Sequence, residues 1–126
     1  MMPSVVRDEV TFDGLQRQVA AHLAARGFHE VMTPSLVNGE RTVRLNAATT
    51  ASLVHLKNPL STELDVMRPT LLFGLLQSAA HNIARQQKSL RLFESGRIYG
   101  IRNDGTTFEQ ERIALRRWQR RQRGVD

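Results

Sequence analysis

Two short stretches of this chain place arginine and glutamate within reach of one another, Val66-Met67-Arg68-Pro69 and Leu92-Phe93-Glu94-Ser95-Gly96-Arg97. A guanidinium presents five N–H groups in a planar fork, which suits it to clamp a carboxylate or several carbonyl oxygens. Arg68 is read as such a clamp where the chain enters a helix, with Glu63, Asp65 or Glu94 as candidate partners. Glu94 and Arg97 read as members of a same-chain or cross-strand pair. Asn58 and Ser61 can bond nearby backbone groups and stabilise a turn, while Pro59 restricts both itself and Asn58. Asn82 and Arg85, three residues apart, share a helix face that is polar or interfacial. Ordering the fold is preferred for all these groups over direct contact with a substrate.

Simpler active-site patterns are missing. Neither the dinucleotide fingerprint nor the P-loop is present, and no serine lies in a nucleophile elbow. Cysteine is absent, which removes disulfides, thiolate zinc sites and cysteine nucleophiles. The four histidines (His22, His29, His55, His81) do not stand at helical metal spacing with acidic partners and read as surface or half-buried residues. No residue is assigned a catalytic or metal-binding role.

The elements that must hold these groups follow from periodicity. Phe12, Leu15, Val19 and Leu23 recur at three- and four-residue steps and predict a helix over 11–26, capped by Thr11 or Asp13 and stopped by a left-handed Gly27. A strand is expected over 28–32, ended by Pro34, and Asn38-Gly39 marks a turn. Alternation of Val43 with Leu45 and of Val54 with Leu56 predicts short strands over 41–45 and 52–57. A second helix is expected over 70–86, capped by Thr70, with Leu72, Leu75, Leu76, Ala79 and Ile83 as its apolar face. Gly74 inside it costs up to about 1 kcal/mol relative to alanine, which suggests close packing of another helix. Residues 90–101 read as a strand, and Asn103-Asp104-Gly105 as a turn returning the chain. Strands clustered between helices predict an α+β fold with a mainly antiparallel sheet and two principal helices covering one side of it. Leu15, Val19, Leu23, Leu72, Leu76, Ala79 and Ile83 are expected to be buried.

At 126 residues the chain has room for one domain. Its net charge of +6 looks like a nucleic-acid signature, but Arg112, Arg116, Arg117, Arg120, Arg121 and Arg123 supply it. Without residues 112–126, 12 basic and 11 acidic residues remain, for a charge of +1. The expected division is an N-terminal extension over 1–10, a folded unit over 11–111 and a basic tail over 112–126. Trp118 amid the arginines could stack on a base while guanidiniums meet phosphates. A solvated extension is the preferred reading. No apolar run approaches the roughly 18 residues of a membrane span, and Met1-Met2-Pro3-Ser4 lacks a secretory pattern, so a cytoplasmic location without membrane contact is expected.

Four ordered pieces carry a family resemblance: Asn58-Pro59-Leu60-Ser61, Val66-Met67-Arg68-Pro69-Thr70-Leu71-Leu72, His81-Asn82-Ile83-Ala84-Arg85-Gln86 and Leu92-Phe93-Glu94-Ser95-Gly96-Arg97-Ile98-Tyr99. They resemble the catalytic-like domain of the phenylalanyl–tRNA synthetase beta chain. Gly27-Phe28-His29-Glu30-Val31-Met32-Thr33-Pro34 also looks like that family and like motif 1 of class II aminoacyl-tRNA synthetases. The likeness covers about residues 11–105. It implies a class II synthetase-like fold and a family set of structural or interface positions: Phe28, Pro34, Asn58, Pro59, Ser61, Met67, Arg68, Asn82, Arg85, Phe93, Glu94 and Gly96.

The resemblance further implies a subunit-contact role beside an alpha subunit that performs aminoacylation, with ATP, magnesium and tRNA serving the whole enzyme and no cofactor held by this stretch. Arg102, in Arg102-Asn103-Asp104-Gly105, is the one position it offers for a vestigial ATP contact, at an offset that differs from motif 2. Nothing like motif 3 follows. The isolated chain is therefore expected to be inactive and to pair with a second copy of itself. Residues 113–123 depart from the family, where another apolar strand is expected.

Overall fold

The computed structural model describes residues 11–121. The expected extension over 1–10 and residues 122–126 of the expected tail lie outside them. Helix α1 spans Phe12–Ala25 and is capped by Thr11, whose hydroxyl accepts from the Gly14 amide at 3.1 Å. Gly27, at φ +84°, ends it in the left-handed conformation that a side chain resists. Strand β1 (His29–Glu30) follows, shorter than the 28–32 expected, and then β2 (Leu36–Val37).

Residues 41–45 are not a strand. Residues 41–44 belong to helix α2, Gly39–Arg44, with Leu45 at its C-cap, because its first turn is doubly capped: Asn38 accepts from the Arg41 amide and Asp65 from the Gly39 amide, each at 2.8 Å. Two alternating apolar residues are too short a signal to outweigh those caps. Residues 52–57 likewise form no strand. A 3-10 turn over Thr50–Ser52 leads into a single isolated bridge from His55 to Val66.

Strand β3 (Val66–Met67) pairs antiparallel with β2, Leu36 opposite Met67 and Val37 opposite Val66. Helix α3 then spans Leu72–Ala84, with Leu71 rather than Thr70 at its cap position; the Thr70 hydroxyl accepts from the Leu72 amide at 3.2 Å. The long strands β4 (Ser89–Ile101) and β5 (Thr107–Gln119) form a hairpin paired over its whole length. In this sheet the order is β1-β4-β5, with β1 parallel to β4 and β5 antiparallel. The fold is α+β with mainly antiparallel pairing. No helix among the described residues is long and apolar enough to cross a membrane.

Alternation along β4 assigns its two faces. Leu90 and Leu92 join Leu75 and Ala79 of α3 in a core cluster, with Val31, Ile83, Ala114 and Trp118 packed against it. The intervening residues meet α1: Gln16 donates to the Ser95 hydroxyl, and Arg91 donates to the Arg26 carbonyl at the end of the helix. The two principal helices thus lie on opposite faces of the strand, not on one side as the strand grouping suggested. Phe93, on the α1 face, is 2% exposed, and burial of a side chain of that size stabilises by about 1.5–3 kcal/mol.

The expected core is partly redistributed. Leu23 and Ala79 are buried and Val19 and Ile83 half-buried, but Leu15, Leu72 and Leu76 are exposed. Leu71 and Leu75 take the inward positions of α3, since the helix sits about one residue rotated from the face its leucines suggested. The solvated tail does not hold for residues 112–119 either. They form the outer half of β5, where Ala114 and Trp118 face α3 and Leu115 and Ile113 lie opposite Phe93 and Ser95.

Candidate functional site

Three segments distant in sequence converge on Arg68. Pro69 and the α3 start follow it directly, and its backbone carbonyl accepts from the Tyr99 amide at 2.9 Å, which ties β3 to β4. Its amide donates to the Ser35 carbonyl at 2.8 Å. The side chain is thereby aimed into the gap between the β1–β2 connection and β4. There Nη1 donates to Glu94 Oε1 at 3.1 Å and to the Thr33 carbonyl at 3.1 Å, and Nε donates to the Arg97 carbonyl at 2.8 Å.

Glu94 is held from a second side. The Thr33 amide donates to its Oε1 at 2.8 Å and the Thr33 hydroxyl to its Oε2 at 2.7 Å. The Arg68 and Glu94 side chains are 8% and 3% exposed. Charges taken out of water at that depth need full hydrogen bonding to be tolerated, and no buried side-chain nitrogen or oxygen among the described residues lacks a partner. Space is made by glycine. A Cβ at Gly96 would overlap the Arg68 guanidinium, and one at Gly74 would meet the Thr33 side chain. Thr33, not another helix, is what Gly74 admits.

Beside this node runs an apolar groove of about 560 Å³. Leu36, Val37, Leu45, Leu64, Phe73 and Leu76 line it, with Arg68 and Thr33 at its wall and the exposed Arg41 and Glu63 at its rim. Leu45, Leu64 and Leu76 are exposed along it, and α1 adds Phe12 and Leu15 on another surface. Among the described residues no cluster of histidine and carboxylate groups could hold a metal ion.

Of the positions singled out in the sequence, Arg68, Glu94 and Gly96 meet in the node, Pro34 borders the groove, and Met67 pairs beside it in β3. Phe93 is core, and Phe28 is half-buried just after α1. Asn58 and Pro59 are exposed in a loop whose Ser61 hydroxyl accepts from the Glu63 amide at 3.0 Å. Asn82 bonds back to the Ser78 carbonyl of its own helix at 2.7 Å, and Arg85 is exposed at the helix end. Arg102 stands apart at the hairpin tip. It donates to the Thr106 hydroxyl and Thr107 carbonyl, each at 3.3 Å, and covers the Phe108 ring at 5.1 Å.

Glu94 and Arg97 do not pair with each other, because adjacent-parity positions put them on opposite faces. Arg97 turns instead to Glu111 at 3.0 Å and Glu109 at 3.6 Å. The hydrogen bond to Glu111, then the charges of Glu109 and Glu111, hold its pKa above the ordinary guanidinium value. Sequence reasoning missed Thr33, whose amide, hydroxyl and carbonyl complete the node; a threonine before proline carries no distinguishing signal.

Comparison with known proteins places the chain in a family. A family model described as the phenylalanyl tRNA synthetase beta chain CLM domain matches residues 3–124. Phenylalanine–tRNA ligase beta subunits from Bacteroides fragilis and Novosphingobium aromaticivorans are 39% and 41% identical to the chain over 105 and 101 residues. Those alignments cover 78% and 80% of this chain but 13% and 12% of the relatives, so the chain spans a small part of their length. Among solved structures, a pyrrolysyl tRNA synthetase from Desulfitobacterium hafniense superposes with a TM-score of 0.62 at 22% identity, covering 80% of this chain and 34% of that one. An ATP phosphoribosyltransferase regulatory subunit/histidyl-tRNA synthetase from Bacillus halodurans C gives 0.60 at 17%, covering 91% and 33%. At those identities the likeness concerns the fold, which is class II synthetase-like.

Proposed function

The chain belongs to the phenylalanyl tRNA synthetase beta chain CLM family, and from that membership we propose that it is a structural and subunit-contact domain of a cytoplasmic phenylalanine–tRNA ligase. One observation carries the reading. Arg68, which a catalytic site would spend on a substrate, is consumed by Glu94, Thr33 and the Arg97 carbonyl, while exposed leucines surround the adjacent groove.

Activating an amino acid requires cations preorganised around the charge that builds on the α-phosphate. The exposed arginines nearest this description do not converge: Arg41 stands at the groove rim and Arg102 is held at the hairpin tip. Exposed apolar surface of this kind favours protein contact over small-ligand chemistry. The partner we propose is the alpha subunit, which performs aminoacylation with ATP and magnesium on tRNA in a heterotetramer. The domain's share is to hold shape.

Co-purification of the chain with the alpha subunit tests the proposal. Leu45→Glu with Leu76→Glu places two charges in the groove and is expected to weaken the association by at least about tenfold, the cost of burying unpaired charge at an interface. Undiminished association by a double variant that folds normally would refute it.

A further inference from the structure

The β4–β5 hairpin distributes its charge unevenly, and only its register makes this visible. Toward the closed end, Arg97 is neutralised by Glu109 and Glu111. At the open end, Arg91 lies directly opposite Arg117, and Arg116 lies opposite Leu92. The Arg120 amide donates to the Lys88 carbonyl at 3.0 Å, so these two cationic residues meet just past the last strand pair. Arg91 reaches the Arg26 carbonyl at 2.8 Å and draws the end of α1 to the same place.

Six cationic residues therefore gather at one end of the sheet: Arg26, Lys88, Arg91, Arg116, Arg117 and Arg120. All are exposed, and among the described residues none forms a salt bridge. Across residues 22–31, 85–93 and 112–121 the only carboxylate is Glu30. Like charges directly opposite on a hairpin destabilise it. A polyanion laid over this end would relieve that repulsion.

We propose that the open end of the hairpin, with the end of α1, is a binding surface for the phosphate backbone of RNA. The polyanion site rests on the strand register; the choice of RNA among polyanions rests on the family reading above. Planar guanidiniums match phosphate oxygens in pairs. Strand alternation puts Arg91 and Arg117 on the α1 face and Arg116 on the α3 face, so the cations border the open end of the sheet from both sides. Trp118 is packed against the α3 cluster and is not free to stack on a base. The contact is thus with backbone charge, and it does not discriminate sequence. An anionic bilayer fits less well, since interfacial binding combines cations with a face of apolar side chains, and here Leu115 is the large apolar residue exposed near them.

Fluorescence anisotropy of the full chain with labelled tRNA, titrated with salt, tests the surface. Log affinity should fall linearly with log salt, by about 0.7–0.9 for each phosphate neutralised. Replacing Arg116, Arg117 and Arg120 by glutamine should flatten that slope by about two to three and weaken binding by at least about tenfold at low salt. Arg91 is left in place because it also holds the end of α1. Arg41→Gln with Arg44→Gln, on α2, should change neither quantity, and two tRNAs of different specificity should bind alike. Equal slope and affinity in the triple variant, its fold confirmed by circular dichroism, would overturn the proposal. So would tighter binding to phosphatidylserine vesicles or to polyglutamate than to tRNA. The Leu45→Glu and Leu76→Glu variant should bind tRNA normally, which separates failure here from failure of the subunit-contact reading.

Discussion

Arg68 and Glu94 meet at 3.1 Å across 26 residues of sequence, with both side chains almost completely withdrawn from water. Such a pair does not guarantee net stability, because desolvation offsets most of the attraction. Its removal by halves is another matter. Glu94→Ala leaves a buried guanidinium with neutral acceptors only, and Arg68→Ala leaves a buried carboxylate with Thr33 alone. Each single change is expected to destabilise by about 3–5 kcal/mol in urea denaturation. The pair Arg68→Met with Glu94→Leu should cost much less than the sum. Additive losses would show that the two charges do not act together.

Gly74→Ala sets two effects against each other. Helix propensity alone would favour alanine by about 1 kcal/mol. The new methyl would instead come within 2.8 Å of the Thr33 Cβ. Thr33 cannot easily yield, since its amide and hydroxyl are both engaged by Glu94. Overpacking should win, with a net loss of about 1–3 kcal/mol. A rise in melting temperature would mean that Thr33 is less firmly held than its bonds indicate.

Phenylalanine-dependent pyrophosphate exchange by the isolated chain is expected to match a blank, and Arg102→Ala should leave it there. The Arg102 guanidinium is engaged within its own hairpin, by the Thr106 hydroxyl and the Thr107 carbonyl. Exchange above background that disappears in Arg102→Ala would make this domain catalytic in its own right.

Without a partner, the chain should self-associate. Phe12 and Leu15 are each 47% exposed on α1 and Met32 is 92% exposed after β1, so the segment that resembles motif 1 presents apolar side chains to water. Light scattering should show a concentration-dependent dimer, reduced to monomer by Phe12→Asp with Leu15→Asp. A monomer at all concentrations would contradict this.

Acid should loosen the hairpin tip before the body. The Thr106 hydroxyl and amide bond to Asp104 and hold its pKa below the ordinary carboxylate value. A depressed carboxylate contributes stability above its unfolded value, about 3.9, and loses it as pH falls through the lowered folded value. The Thr106 amide resonance should shift over that acidic interval and lose the transition in Asp104→Asn. The charge is exposed, so the effect on global stability should be small.

Local signals in the sequence were sufficient for much of this protein. The two principal helices, the left-handed Gly27 and the hairpin turn at Asn103-Asp104-Gly105 all depend on neighbours a few residues apart, and the four family motifs pointed to the family. Glu94 was among three candidate partners, but choosing it over Glu63 and Asp65 required knowing that Asp65 caps α2 instead. What remained was decided by tertiary packing. Residues 41–44 became helical because Asn38 and Asp65, the latter 26 residues away from Gly39, supplied the first-turn acceptors. Leu72 and Leu76 faced outward because α3 packs on β4 through Leu75 and Ala79, and a period of 3.6 identifies an apolar face without saying what will cover it. The arginines at 112–120 looked like a solvated run because composition carries no register. Pairing with β4 turned alternate residues inward to Trp118 and Ala114 and left the cations on one end of a sheet. Sequence spacing determines which residues can share an element; which elements share a surface depends on contacts between segments far apart in the chain, and only the folded structure contains those.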